Sequence, residues 1–174
     1  VAIIVVNMLA FFLELSLHES IRDDFIYLFG LVPARYAHPV WAQFHGFPLD
    51  SYWSFLTSLF LHGSWLHLAG NLWFLYLFGD NVEDRLGPVR FIVFYLLAGA
   101  SANLVHFLVN LDSPYPVIGA SGAIAGVMGG YLLLFPRARV DVLVIFVIFF
   151  RVFALPAWVM LGVWFANELQ RPAG

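Results

Sequence analysis

The chain has 174 residues, 62% hydrophobic, 18% aromatic and only 11% charged, where soluble domains are roughly half apolar and a quarter charged. Its net charge of −3 arises without any acidic or basic block, which leaves no nucleic-acid-binding surface, and the lack of cysteine excludes disulfides and thiolate metal sites. The apolar runs match a hydrocarbon layer of roughly 30 Å, so the composition predicts an integral, multi-pass membrane protein with a single domain over residues 1–174.

Residues 1–17 are predicted as a first span, with Glu14 near its end. Residues 18–51 are too polar to cross and too aromatic for a free linker. Arg22, Asp23, Asp24 and Arg35 alternate there with Phe25, Tyr27, Phe29 and Trp41, as in an interfacial loop whose rings sit at headgroup depth. Residues 52–78 form the predicted second span, stopped at Gly79-Asp80-Asn81, with Gly87-Pro88 as a turn. The third span is 91–111, broken by Asp112-Ser113-Pro114-Tyr115-Pro116, and the fourth is 117–135, followed by the basic turn Pro136-Arg137-Ala138-Arg139. Residues 140–150 fit either the start of a long fifth span or a separate surface-lying piece, and 152–166 form the core of that span, with Pro156 inside it.

Arg85, Arg90, Arg137 and Arg139 share one side with the N-terminus, and Arg22, Arg35 and Arg171 take the other, which favours a cytoplasmic N-terminus. The chain starts at Val1 within an apolar run and stops at Gly174 just past another, so a fragment of a longer protein is expected.

The fourth span carries the most chemical information. Gly122, Gly126 and Gly130 share one helix face, and small residues at that spacing let a neighbouring helix approach closely. Spacing alone fits a packed central helix whose Ser121 bonds its own backbone. The position of Ser121 fits something else. It stands at a helix start, where unpaired N–H groups favour negative charge, and a serine attacking a peptide carbonyl generates an oxyanion. Gly119 and Gly122 would leave room for a peptide backbone.

About fifty residues upstream, His67 and Asn71 are one helical turn apart, with Ser64 on the same stripe. They could be polar glue between helices. Ionisable groups inside a span point instead to function, and both side chains can donate hydrogen bonds to an oxyanion. Asn103, His106 and Asn110 form a comparable stripe on the third span and read as packing glue, with His106 in reserve as a general base. His62, His67 and His106 show no metal-ligand spacing, so no metal is expected. Glu83 and Arg85 read as a pair or a helix cap.

Taken together, Gly-Ala-Ser-Gly-Ala-Ile-Ala-Gly at 119–126, His67-Leu-Ala-Gly-Asn71 and Asn81-Val-Glu-Asp-Arg-Leu-Gly87 resemble the rhomboid family of intramembrane serine proteases, the bacterial type above all. Phe135-Pro136-Arg137-Ala138-Arg139 and Leu155-Pro156-Ala157-Trp158 resemble its later segments, so the likeness runs in order over essentially the whole chain. The resemblance implies an all-α polytopic bundle of six core helices, five of them in this chain, in a bacterial plasma membrane. The implied activity is hydrolysis of peptide bonds in or near the transmembrane segments of membrane-protein substrates, without a cofactor. Ser121 matches the nucleophile, and His67 and Asn71 match the residues that form the oxyanion hole with the serine N–H. Glu83 and Arg85 match a structural motif in the loop after the second helix, residues 18–51 the membrane-interface loop, and the fifth span the substrate gate.

The chain departs from the family pattern twice. Many members carry Trp-Arg before the second span, where this chain has Trp53-Ser54, so the first loop is expected to be anchored differently. The family's general base is a histidine on the sixth helix, and none of the six histidines here matches it. Without a base the serine is a poor nucleophile, so the chain as it stands is expected to be nearly inactive and its longer parent active. The competing reading is a non-catalytic rhomboid-like protein that binds membrane clients. The joint presence of Ser121, His67 and Asn71 argues against it. A transporter would need paired broken helices, which the pattern lacks. Oligomeric state is not encoded in any motif.

Overall fold

A computed structural model describes residues 2–48, 51–146 and 149–169, so Val1 and the terminal stretch with Arg171 lie outside the described residues. Helix α1 spans Ala2–Ser16, and Ile3, Asn7, Phe11 and Glu14 form its buried face. Three short helices follow: α2 (Glu19–Phe29), α3 (Pro33–Ala37) and α4 (Pro39–Phe44). Pro33 and Pro39 each open a helix, where a missing N–H costs nothing.

This first loop is stitched over the segment that leads to Ser121. Leu31 and Val117 exchange backbone hydrogen bonds of 3.0 and 2.8 Å, and Ala34 N–H donates to Ser113 O at 3.0 Å. His38 and Asp112 pair at 2.7 Å. Arg35, 2% exposed, donates to the carbonyls of Leu28, Pro48 and Ser51 at 3.1, 2.9 and 3.3 Å. Tyr36 Oη donates to Ser51 O at 2.9 Å and bonds Ser54 Oγ. Within this loop Arg35 is the anchor, tying α3 to the carbonyls on either side of it.

The second span departs from the single helix expected over 52–78. It begins as α5 (Ser54–Thr57) and a 3-10 turn (Ser58–Phe60). Residues 61–63 then lie outside any helix, with Leu61 extended. Ser64 accepts from His67 N–H at 3.2 Å, which caps α6 (Trp65–Phe74). A π turn (Leu75–Gly79) leads into α7 (Asp80–Leu86). Gly79 is therefore no stop signal. It is helical, and a Cβ there would lie 3.0 Å from Leu75 Cδ1 and 3.3 Å from Phe91 Cζ. The helix ends at Gly87, whose φ of +81° suits glycine, with Pro88 opening the next helix.

Helix α8 (Pro88–Val109) pairs with α9 (Ser121–Leu134). Gly122 faces Ala102, Gly126 faces Ala98 and Gly130 faces Phe94. A Cβ added at Gly122 would fall 2.6 Å from that of Ala102, so the glycine stripe is what allows the two backbones this close. Tyr95, Ala123, Ile124, Val127 and Met128 are fully buried there, packed with Leu75, Phe78 and Val82. Among the described residues, α8 is the one helix both long and apolar enough to cross a membrane, while α1 and α9 are shorter apolar helices.

The last part corrects the all-α expectation and the fifth span. Strands β1 (Arg139–Phe146) and β2 (Phe149–Pro156) pair antiparallel, with Arg139 opposite Pro156 and Phe146 opposite Phe149. Val, Ile and Phe dominate this run, and β-branched and aromatic side chains favour strands. Pro156 has no N–H to give, which suits the last strand position, and α10 (Ala157–Leu169) begins at the next residue. The helix expected over 152–166 therefore starts five residues later.

Candidate active site

Ser121 is the first residue of α9 and is half-buried. The helix's backbone ladder starts only with Ile124, whose N–H donates to Ala120 O at 2.9 Å, so the N–H groups of Ser121, Gly122 and Ala123 precede it. Just before it, Gly119 has a φ of +122°, and its N–H donates to Ser58 O at 2.8 Å. Asn103 Nδ2 holds the same turn from α8, donating to Phe55 O and Ser58 Oγ, both at 2.8 Å. The glue role read for Asn103 is therefore a concrete one: it braces the turn that holds Gly119.

His67 and Asn71 converge on this point. A Cβ built on Gly119 would fall 2.7 Å from His67 Nε2, 2.8 Å from His67 Cε1 and 3.6 Å from Asn71 Nδ2. The space a side chain would take at Gly119 is filled by imidazole and carboxamide, two residues before Ser121. The room expected at Gly119 for a peptide backbone is thus taken by His67 and Asn71 on the side where a Cβ would point. Gly122 does not face the same way: its α-carbon lies against Ala102, so its small size serves the α8–α9 contact.

The structure adds two residues that periodicity missed. His62, 1% exposed, lies with its Nε2 at 3.0 Å from Asn71 Nδ2, and its Nδ1 at 3.2 Å from Phe60 O. A carbonyl only accepts and an amide nitrogen only donates, so Nδ1 carries the proton and Nε2 accepts from Asn71. One neutral tautomer satisfies both bonds. The His62 backbone N–H in turn donates to the Glu14 carboxylate at 3.2 and 3.4 Å, and Glu14 is 1% exposed. The His62 and His67 rings meet at 5.2 Å and 66°. Nine residues along a continuous helix would put His62 and Asn71 on opposite faces. The non-helical residues 61–63 bring them together instead.

His106 Nε2 is buried without a hydrogen-bond partner among the described residues. The pairing of Gly122 with Ala102 places His106 one helical turn beyond the level at which α9 begins. Glu83 and Arg85 lie within α7 and not in a loop, and the Arg85 guanidinium sits 5.3 Å from the Phe135 ring centroid, tying α7 to the end of α9.

Comparison with known proteins matches residues 49–169 to the rhomboid domain. The chain is 43% identical over 83 residues to Rhomboid-like protein 11, chloroplastic, of Arabidopsis thaliana, covering 48% of this chain and 29% of that protein. It is 42% identical over 81 residues to Rhomboid protease GluP of Bacillus subtilis, covering 47% of this chain and 15% of that protein. It is 32% identical over 90 residues to human Presenilin-associated rhomboid-like protein, mitochondrial, covering 51% of this chain and 24% of that protein. The matched segments span less than a third of each of these three relatives, and no solved structure matches the chain. With the domain match extending from the first-loop end through α10, the chain belongs to the rhomboid family.

Proposed function

We propose that the protein to which this chain belongs is an intramembrane serine endopeptidase acting on peptide bonds in or near the transmembrane segments of membrane proteins. The observation that carries this reading is the convergence of His67 Nε2 and Asn71 Nδ2 on Gly119, two residues before a serine that opens a helix.

The chemistry follows from those positions. A base takes the Ser121 hydroxyl proton while Oγ attacks the scissile carbonyl carbon. Negative charge grows on the carbonyl oxygen, where the Ser121 N–H, the Asn71 amide and the His67 ring donate to it. The tetrahedral species collapses, the amine leaves with a proton, and water hydrolyses the acyl-enzyme. The base in this proposal is a histidine outside the residues of this chain, as the family resemblance implies. With the N-terminus cytoplasmic, the first loop and the segment leading to Ser121 lie on the outer side, from which water enters. A carboxamide and an imidazole at this depth suit a wet cavity, where non-helical backbone such as 61–63 is tolerated within a membrane.

Labelling of the longer protein by a fluorophosphonate tests the reading. A Ser121-dependent adduct, lost in Ser121→Ala, is expected. No adduct on a folded, complete protein would leave a non-catalytic client binder as the better account.

A further inference from the structure

Away from Ser121, the first loop and the segment at 114–115 line an open cavity of about 600 Å³, within the size range of small-ligand sites. Its wall is largely aromatic: Tyr27 from α2, Trp41 from α4, Phe47 just beyond it, and Tyr115 from the break after α8. Trp41 stacks on Phe47 with centroids 5.7 Å apart, and Tyr27 lies 6.5 Å from Phe47. Asp24 contributes a carboxylate to this wall, and no arginine lines it. The Arg35 guanidinium lies over the Phe47 ring at 5.5 Å, but it is buried and bound to backbone carbonyls. His45 also lines the cavity. Its Nδ1 donates to Trp41 O at 2.8 Å and its ring lies 4.2 Å from that of Trp41.

Aromatic faces and a carboxylate around one space select a cation, and most strongly an alkylated ammonium. The source of that cation follows from what surrounds the cavity. The helix that supplies Trp41 turns Val40 and Phe44 outward, 84% and 87% exposed, and the same loop continues into Tyr52 and Trp53, 69% and 70% exposed. Apolar and aromatic groups so exposed belong in the interfacial layer of a bilayer. The cations concentrated at that depth are the ammonium ends of lipid headgroups.

We propose that this cavity binds the ammonium end of a zwitterionic phospholipid headgroup, with Asp24 meeting its charge and Tyr27, Trp41, Phe47 and Tyr115 covering its carbon surface. The site would dock the first loop onto the membrane surface. The inference rests on a membrane location and does not depend on Ser121 chemistry.

Native mass spectrometry of the full chain in detergent, with phosphatidylethanolamine, phosphatidylcholine or phosphatidylglycerol added, tests it. Retention of the two zwitterionic lipids should exceed that of phosphatidylglycerol about fivefold. Asp24→Asn should remove that preference, while Asp23→Asn, one residue away and off the cavity wall, should keep it. Circular dichroism checks that both variants remain folded. Equal retention of all three lipids, or an unchanged preference in folded Asp24→Asn, overturns the proposal. So does binding of free choline or ethanolamine as tight as that of the lipid, since that assigns the cavity to a soluble ammonium compound.

Discussion

Asn71 donates its carboxamide N–H to Nε2 of His62 across 3.0 Å, both side chains being buried. This bond aims the group proposed to receive the oxyanion, and it reaches back through the His62 N–H to the Glu14 carboxylate on the first helix. His62 therefore acts through Asn71 as a positioning residue. In the complete protein, His62→Ala is expected to lower kcat by about tenfold or more with KM little changed, a fraction of the roughly 10²–10³ that removal of an oxyanion donor costs. His62→Gln, whose carbonyl can accept from Asn71, should restore part of it. Steady-state kinetics on a transmembrane reporter decide the matter, and a rise in KM alone would contradict the role.

Direct removal should cost more. Asn71→Ala and His67→Ala are each expected to reduce kcat by roughly 10²–10³, and Ser121→Ala to abolish turnover. Thermal unfolding of Ser121→Ala should match the parent, because the hydroxyl is only half-buried and its removal leaves little packing to lose. Persisting cleavage in Ser121→Ala would identify another nucleophile.

Gly119 combines two demands, a φ of +122° and a side-chain space already filled by His67. Gly119→Ala should destabilise by about 1–3 kcal/mol from backbone strain and overlap together. It should also depress activity beyond what the lost stability explains, since the imidazole must move. Comparing melting temperature with kcat at a temperature where the variant is fully folded separates the two effects.

The glycine stripe offers a paired test. Gly126 lies hard against Ala98, whereas a Cβ on Gly129 meets nothing within 4 Å. Gly126→Leu should destabilise by about 1–3 kcal/mol through forced separation of α8 and α9. Gly129→Ala should be neutral or stabilising by up to about 1 kcal/mol. Detergent-phase thermal melts of the two variants provide the comparison, and equal effects would argue against α8–α9 contact through this face.

Arg35 should hold the first loop. Arg35→Ala removes bonds to Leu28, Pro48 and Ser51, and a cost of at least about 2 kcal/mol is expected, concentrated in the loop. Arg35→Lys should not rescue it, because a single ammonium lacks the fork that reaches several carbonyls at once. Limited proteolysis around residues 45–53 reports the local effect, and unchanged cleavage rates in Arg35→Ala would show that the anchor lies elsewhere.

The order of apolar runs, the α8 helix and the close-packed face of Gly122, Gly126 and Gly130 were legible in the sequence because each depends on local spacing. The pairing of His67 with Asn71 was legible for the same reason, since one turn of helix brings them together whatever surrounds it. The end of the second helix was misread because Gly79 looks like a stop, while its packing against Leu75 and Phe91 makes a small residue useful inside a helix. The pairing of β1 with β2 was hidden by composition: a run of Val, Ile and Phe suits a buried helix and a strand alike.

The sequence by itself therefore determined the family and the order of its apolar segments, with His67 and Asn71 one helical turn apart, since composition, motif and one-turn periodicity carry that information. Only the tertiary structure decided that Glu14, His62, Asn71 and Gly119 form one connected site, because the non-helical residues 61–63 and the positive φ of Gly119 redirect side chains in ways no repeating pattern announces.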